Sequence, residues 1–364
     1  MGSLGVLYNF DKNDKKRCWE ISVDTSEKET VITTRTGHIG GKITEFTKIL
    51  SQGKNIGRAN STTHFEQGLL EAKAKHKKKI EQGFSLEKNR RNVRIKLPML
   101  AMDFKKRSHD IVYPCFVQPK LDGIRCIYRD GKLMSRTGKV FPHMTHILEQ
   151  IQKQGTDLIL DGELYNDNMS FQDISSVIGK VNEKPDNIKD INYIIFDHMS
   201  SDDYIKRLKD LEDMENLECR NIKIINTEIC DNEASVKKLH GKYTKQGYEG
   251  IMIRNFLGKY DVNKRSKNLQ KFKKFMDDEY KISGFTRGTG KEKDAVIWTC
   301  ITPSGIEFNV RPKGTIKERE NVLKEAEKYI GEMITVKFFN LTDDGVPRFP
   351  TTLHGVTSSI RNYE

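Results

Sequence analysis

Lys120 lies in the string Gln118-Pro119-Lys120-Leu121-Asp122-Gly123-Ile124-Arg125, and four further charged strings follow it in order. They are Ser135-Arg136-Thr137-Gly138, Asp161-Gly162-Glu163-Leu164-Tyr165, Glu249-Gly250-Ile251-Met252-Ile253-Arg254 and Leu269-Gln270-Lys271-Phe272-Lys273. Each sets a charge on or beside a short β-prone run, where an inward-facing charge needs phosphate, metal or a countercharge as partner. The chemistry such a set supports is attack by a lysine amine on phosphorus. A free lysine, with a pKa of about 10.4, attacks only after losing its proton, which nearby cations or desolvation promote. Lys271 and Lys273, two apart on a strand, share one face. Arg125 and Arg136 add positive potential around a bound triphosphate. Glu163 and Glu249 are carboxylates suited to a sugar hydroxyl or a magnesium ion.

The elements that must carry these residues form three segments. Up to about residue 84, short strands from Val6 to Phe46 surround the glycine-rich turn Arg35-Thr36-Gly37-His38-Ile39-Gly40-Gly41-Lys42, and Thr63 to Ile80 has helical composition with Lys73, Lys75, Lys77, Lys78 and Lys79. A basic stretch with Arg90, Arg91 and Arg94 leads to Leu97-Pro98. From there to Phe275, strands are predicted at 115–118, 124–128, 158–165, 193–197, 251–255 and 269–275, with helices at 143–153, 171–178 and 234–246. Asp130-Gly131 is the tight turn of a hairpin, which places Lys120 on the loop entering it. After Asp277, short strands at 279–285, 296–302, 306–310 and 333–340 with one helix near 316–330 suit a small OB-type barrel. The expected fold class is α+β, with domains at 1–86, 87–275 and 276–364.

The 364 residues exceed one typical domain. A hydrophobic share of 36% against 31% charged residues is polar yet consistent with globular folding, so disorder is not expected. The net charge of +12 favours a polyanionic partner, because basic surfaces release counterions condensed around phosphates. A solubilising lysine surface would give the same number. Cys18, Cys115, Cys126, Cys219, Cys230 and Cys300 make no CxxC pair, so neither a zinc site nor a disulfide framework is expected. No basic-then-apolar leader and no long uncharged apolar run occur, so the expectation is a soluble intracellular protein, in cytoplasm or nucleus of a host or virus-infected cell.

Taken singly, these strings are ordinary turns and strand edges. Their joint order resembles the successive motifs of ATP-dependent DNA ligases of the compact viral and phage type, within the covalent nucleotidyltransferases. The resemblance rests on Lys120–Arg125, Ser135–Gly138, Asp161–Tyr165, Phe196-Asp197, Glu249–Arg254, Leu269–Lys273 and Gly345-Val346-Pro347-Arg348-Phe349-Pro350, and covers about Leu97 to the C-terminus. It implies that Lys120 attacks the α-phosphate of ATP to form adenylyl-lysine, that AMP passes to a 5′-phosphate, and that a 3′-hydroxyl then seals the nick in duplex DNA.

Residue by residue, the resemblance implies that Gln118 bonds the adenine edge, Glu163 the ribose, and Arg125 and Arg136 phosphates of nucleotide or nick. Lys271 and Lys273 would hold the α-phosphate, and Glu249, with Glu163, a Mg2+ or Mn2+ ion. Phe196 would stack on adenine, or else belong to the core of its strand. Arg348 would orient the leaving pyrophosphate. After Phe349-Pro350 the usual further basic residues are replaced by Thr351-Thr352-Leu353-His354, with Arg361 the next strong cation.

The front segment resembles a WGR-type DNA-binding module, without a tryptophan before its turn; a structural appendage is the other reading. Its DNA-facing candidates are Arg35, Lys42, Lys77, Lys78, Arg90 and Arg91. A monomer acting on nicked double-stranded DNA is expected. The rival activities are an RNA ligase or a capping guanylyltransferase, and NAD use is not expected because no recognition segment for it precedes Lys120. A non-catalytic nucleic-acid-binding protein is the rival of another class.

Overall fold

A computed structural model of the chain describes residues 2–11, 13–88, 96–215 and 220–357. Its contacts divide it into two compact units that do not follow chain order. One comprises Met1–Met99, Arg125–Gly162 and Asp261–Lys264; the other comprises Leu100–Ile124, Glu163–Tyr260 and Arg265–Glu364.

In the first unit, strands Lys16–Thr25, Thr30–His38 and Ile43–Leu50 form an antiparallel meander, with Leu7–Phe10 and Gly2–Ser3 both pairing on Lys16–Thr25. Alternate residues Trp19, Ile21, Val23 and Ile32 point to one face and pack with Leu7, Ala72 and Phe84. The helix His64–Glu81 covers that face. It starts where the sequence dictates, because Thr63 and Glu66 form a reciprocal capping box. The hairpin of Ile124–Arg129 and Lys132–Ser135 turns at Asp130 and Gly131, whose φ angles of 51° and 68° are those the Asp-Gly pair tolerates.

The second unit holds two five-stranded sheets. One runs Glu228–Cys230, Cys115–Pro119, Gly250–Asn255, Arg265–Lys273 and Leu100–Asp103. Cys115, Val117, Ile251 and Ile253 pack on Val236 and Tyr243 of the helix Glu233–Lys245, so the alternate residues of these strands form the opposite face. The other sheet orders Glu307–Val310, Val296–Ile301, Met276–Arg287, Met333–Phe338 and Thr351–Thr352. A bridge from Arg311 to Thr351 joins its two edges, the closure expected of an OB-type barrel, around a core centred on Trp298.

Two sequence expectations need correcting. The helix near 316–330 ends at Leu323, because Glu325 leaves helical geometry and only a short 3-10 turn follows. A helix at Tyr204–Glu215 was not expected at all. Among the described residues no helix is long and apolar enough to cross a membrane, and the described cysteines are free.

Candidate active site

The register of three neighbouring strands assembles the site in the second unit. Met252 lies between Gln118 and Lys271, and Gly250 lies opposite Lys273. One residue past the paired strand, the backbone of Lys120 continues the ladder. Its N–H donates to Gly250 O at 2.9 Å, and the Glu249 N–H donates to Lys120 O at 3.1 Å. Lys120, Lys271 and Lys273 are thereby held to one face, away from the apolar packing.

Glu249 joins two of these lysines. Its Oε2 is ion-paired with Lys120 Nζ, and its Oε1 with Lys273 Nζ at 3.2 Å. Burial pulls the Lys271 amine below the usual lysine value, helped by Arg265 and Lys120. Burial likewise lowers Lys273, helped by Lys120 and opposed by Glu249. Cations crowded this way on a half-buried face hold a strong potential for phosphate oxygens.

The loop Lys120–Gly123 is pinned from both sides. A Cβ at Gly123 would come within 2.4 Å of Leu164 O and 2.8 Å of Glu163 Cγ, so only glycine allows that approach. Arg348, from the turn before Thr351–Thr352, donates Nη1 to Asp122 Oδ2 at 2.7 Å, and its guanidinium lies 4.4 Å from the Phe171 ring centroid. Arg348 is thus two residues from Lys120 through its partner Asp122. No pyrophosphate role is visible in that contact itself.

Gln118, the residue expected at the adenine edge, is engaged inside the protein. It is 1% exposed, its Nε2 donates to Tyr204 Oη at 2.7 Å and Thr227 Oγ1 at 3.0 Å, and its Oε1 accepts from Arg254 Nε at 2.9 Å. Both N–H groups are therefore spent inside the protein, and an adenine edge would find at most one acceptor lone pair. Arg254 also reaches Asp197 Oδ2 at 2.5 Å, and Arg207 holds Asp197 Oδ1 at 2.7 Å. Burial works to raise the Asp197 carboxyl, but Arg254 and Arg207 outweigh it and hold the group below its ordinary value. None of Asp197, Arg207, Tyr204 or Arg254 was given a role from sequence. Phe196, by contrast, alternates with buried Tyr193, Ile195 and Asp197 and is half-buried on the other face of its strand.

In the first unit, Arg125 grips the fully buried Asp161 with two bonds, Nε to Oδ1 at 2.9 Å and Nη2 to Oδ2 at 2.6 Å. Two of its nitrogens are committed there, the bidentate arrangement usual for a guanidinium and a carboxylate. Arg136 is exposed on the turn after Lys132–Ser135. Arg35 lies on the sheet of the front segment. It pairs with Glu45 at 2.7 Å across the sheet and stands opposite Glu20 on the other side, so its charge is balanced by carboxylates. Lys42, Lys77 and Lys78 are exposed. Arg90, Arg91, Arg94, Cys219 and Arg361 lie outside the described residues.

Among the described residues no three His, Cys, Asp or Glu side chains cluster as a metal cage. With Glu249 already engaged by two lysines, the residues fit a divalent ion held by one or two carboxylates and mainly by substrate phosphates, the usual way of magnesium.

A paired lysine, a carboxylate between two lysines, and an arginine from a barrel docked on the lysine loop define a covalent nucleotidyltransferase with an OB domain. The family description "ATP dependent DNA ligase domain" matches residues 98–273, and "DNA ligase OB-like domain" matches residues 287–354. The chain belongs to the ATP-dependent DNA ligases. Curated relatives include two African swine fever virus proteins named DNA ligase. One, from a Malawi tick isolate, is 26% identical over 92% of this chain and 90% of its own length; the other, from a South African tick isolate, is 27% identical over 84% and 78%. A solved Lig E DNA ligase with a minimal scaffold shares the fold at a TM-score of 0.61 and 24% identity, over 72% of this chain and 99% of its own.

Proposed function

We infer that this chain seals nicks in duplex DNA with ATP, and that Lys120 is its nucleophile. The carrying observation is Glu249 bridging Lys120 and Lys273, because it puts three motifs distant in sequence around one amine. The Lys120 nitrogen attacks the α-phosphorus of ATP, a P–N bond forms, the P–O bond to the β-phosphate breaks, and pyrophosphate leaves. An oxygen of the 5′-phosphate then attacks the same phosphorus and releases the lysine. The 3′-hydroxyl oxygen last attacks the 5′-phosphorus, expels AMP and closes the strand.

Lys271 and Lys273 supply charge at the α-phosphate, and Phe196 supplies the face on which adenine stacks, a contact of about 1–3 kcal/mol. Arg348 acts on the loop of Lys120 through Asp122. Glu163 and Glu249 are the residues that would hold a Mg2+ or Mn2+ ion, which when bound neutralises phosphate charge. Incubation with α-labelled ATP and acid quench is expected to leave covalent label. Nick sealing should then succeed on DNA strands with ATP and fail with GTP or NAD. Equal sealing of RNA nicks would favour the RNA-ligase reading, and absence of any label would leave only a nucleic-acid-binding protein.

The domain limits 1–86, 87–275 and 276–364, a monomeric state and an intracellular soluble location complete the proposal. The front module is assigned a WGR-like, DNA-binding role. In support, one helix covers one face of its sheet, and that helix carries exposed Lys73, Lys77 and Lys78. An alignment that takes in 92% of the chain, as with the Malawi isolate's ligase, must also enter the first 97 residues. Removing residues before Leu97 is expected to weaken binding of nicked DNA about tenfold or more at physiological salt. Labelling of Lys120 should persist in the truncated chain; unchanged DNA affinity would count against the module's role.

A further inference from the structure

Beside Lys120, from the same face of its sheet, extends a chain of buried polar groups that no step above uses. Arg254 donates Nε to Gln118 Oε1 and Nη1 to Asp197 Oδ2, at 2.9 and 2.5 Å. Arg207, itself 1% exposed, anchors Asp197 and donates Nη1 to the carbonyls of Asp202 and Gly258. The hydroxyls at the far end fix the direction of every bond. Tyr204 spends its proton on Phe196 O at 3.1 Å, and Thr227 spends its own on Ile225 O at 3.2 Å. Each hydroxyl can then only accept from Gln118. The amide must turn Nε2 toward Tyr204 and Thr227, and Oε1 toward Arg254, so it has one orientation.

We propose that Arg254 is a positioning residue for nucleotide capture. It ties Gln118, two residues before the nucleophile, to Asp197, the residue after Phe196, and so fixes the lysine's strand against the aromatic platform. Tyr204 closes the same loop from the other side by holding both Gln118 and the Phe196 carbonyl. The role rests on Lys120 being the nucleophile. Two observations separate it from ordinary packing. Burying two arginines and an aspartate costs desolvation that apolar side chains of the same volume would avoid, so their worth lies in orientation. Further, the two bonds leave Arg254 from different nitrogens of one planar fork, a geometry that a lysine ammonium cannot copy.

The test uses the full chain carrying Arg254→Lys or Thr227→Val, the second of which removes one acceptor from Gln118 and leaves every charge in place. Two reactions are followed: labelling of Lys120 across a range of ATP concentrations, and sealing of a nick that already carries a 5′-adenylate. Arg254→Lys is expected to raise the KM for ATP about 10–100-fold, and Thr227→Val about 3–5-fold, with sealing of the adenylated nick changed less than about threefold in both. Equal losses in the two reactions would mean a merely structural role and overturn the proposal, as would an ATP KM unchanged in both variants. If Arg254→Lys does not fold, the KM of Thr227→Val decides alone. No label on the unaltered chain would instead sink the nucleophile assignment, and this role with it.

Discussion

Lys120→Ala is expected to abolish the covalent lysyl-adenylate altogether, while a nick supplied with its 5′-adenylate is still sealed within about tenfold of the unaltered rate. The split follows from what the amine does. It is the atom that bonds to phosphorus in the first step, so nothing replaces it there. Once AMP sits on the DNA end, the lysine contributes only its charge, and Lys271 and Lys273 remain on the same face. The substitution also deprives Glu249 of one of its two lysines, but Lys273 still neutralises that carboxylate at 3.2 Å. A folded protein is therefore expected, which circular dichroism would check. Lys132→Ala, at the exposed first residue of its strand, serves as the control and should label normally. Persistent label on the Lys120→Ala chain would move the nucleophile to another lysine.

Much of this site could be read in sequence because its parts are local. Glycines after charges, as in Asp122-Gly123 and Glu249-Gly250, mark close approaches that the structure then displays. Period-two spacing put Lys271 and Lys273 on one face, and cap pairs such as Thr63 with Glu66 and Ser170 with Asp173 start helices where composition placed them. What could not be read shares a different cause. Gln118 reads as an available amide until its partners, 86, 109 and 136 residues away, consume it. Arg125 and Arg35 read as free cations for the same reason, since Asp161 and Glu45 meet them only through strand pairing.

The helix Tyr204–Glu215 shows the limit most plainly. Its inward positions include Tyr204, Arg207, Leu208 and Leu211, all buried. Their spacing is helical, but an arginine in the stripe disguises it as a solvated charged run. Only the carboxylate of Asp197, on another element, makes that arginine an inside residue. A buried charge is thus visible in sequence solely through a partner that sequence does not locate.

The largest loss of stability is expected from Gly250→Ala, where two effects coincide. Gly250 has φ of 142°, a region that side chains rarely enter, and a Cβ built there would come within 2.1 Å of Phe272 O and 3.0 Å of Lys273 Cα. Both obstacles are backbone of the strand carrying Lys271 and Lys273, so no side chain can swing aside to make room. The strain and the forced shift together should cost about 2–4 kcal/mol, lowering Tm by roughly 5–10 °C. Function should suffer beyond that. The same glycine's carbonyl accepts from the Lys120 N–H at 2.9 Å, and moving the neighbouring strand pulls Lys273 away from Glu249. At a temperature where the variant remains folded, Lys120 labelling is expected to fall at least about tenfold, since displacement of a reacting group by about 1 Å costs about a hundredfold in rate. Ordinary labelling by a variant whose Tm has dropped would show that the lysine face tolerates strand movement, and the close approach would then serve folding alone.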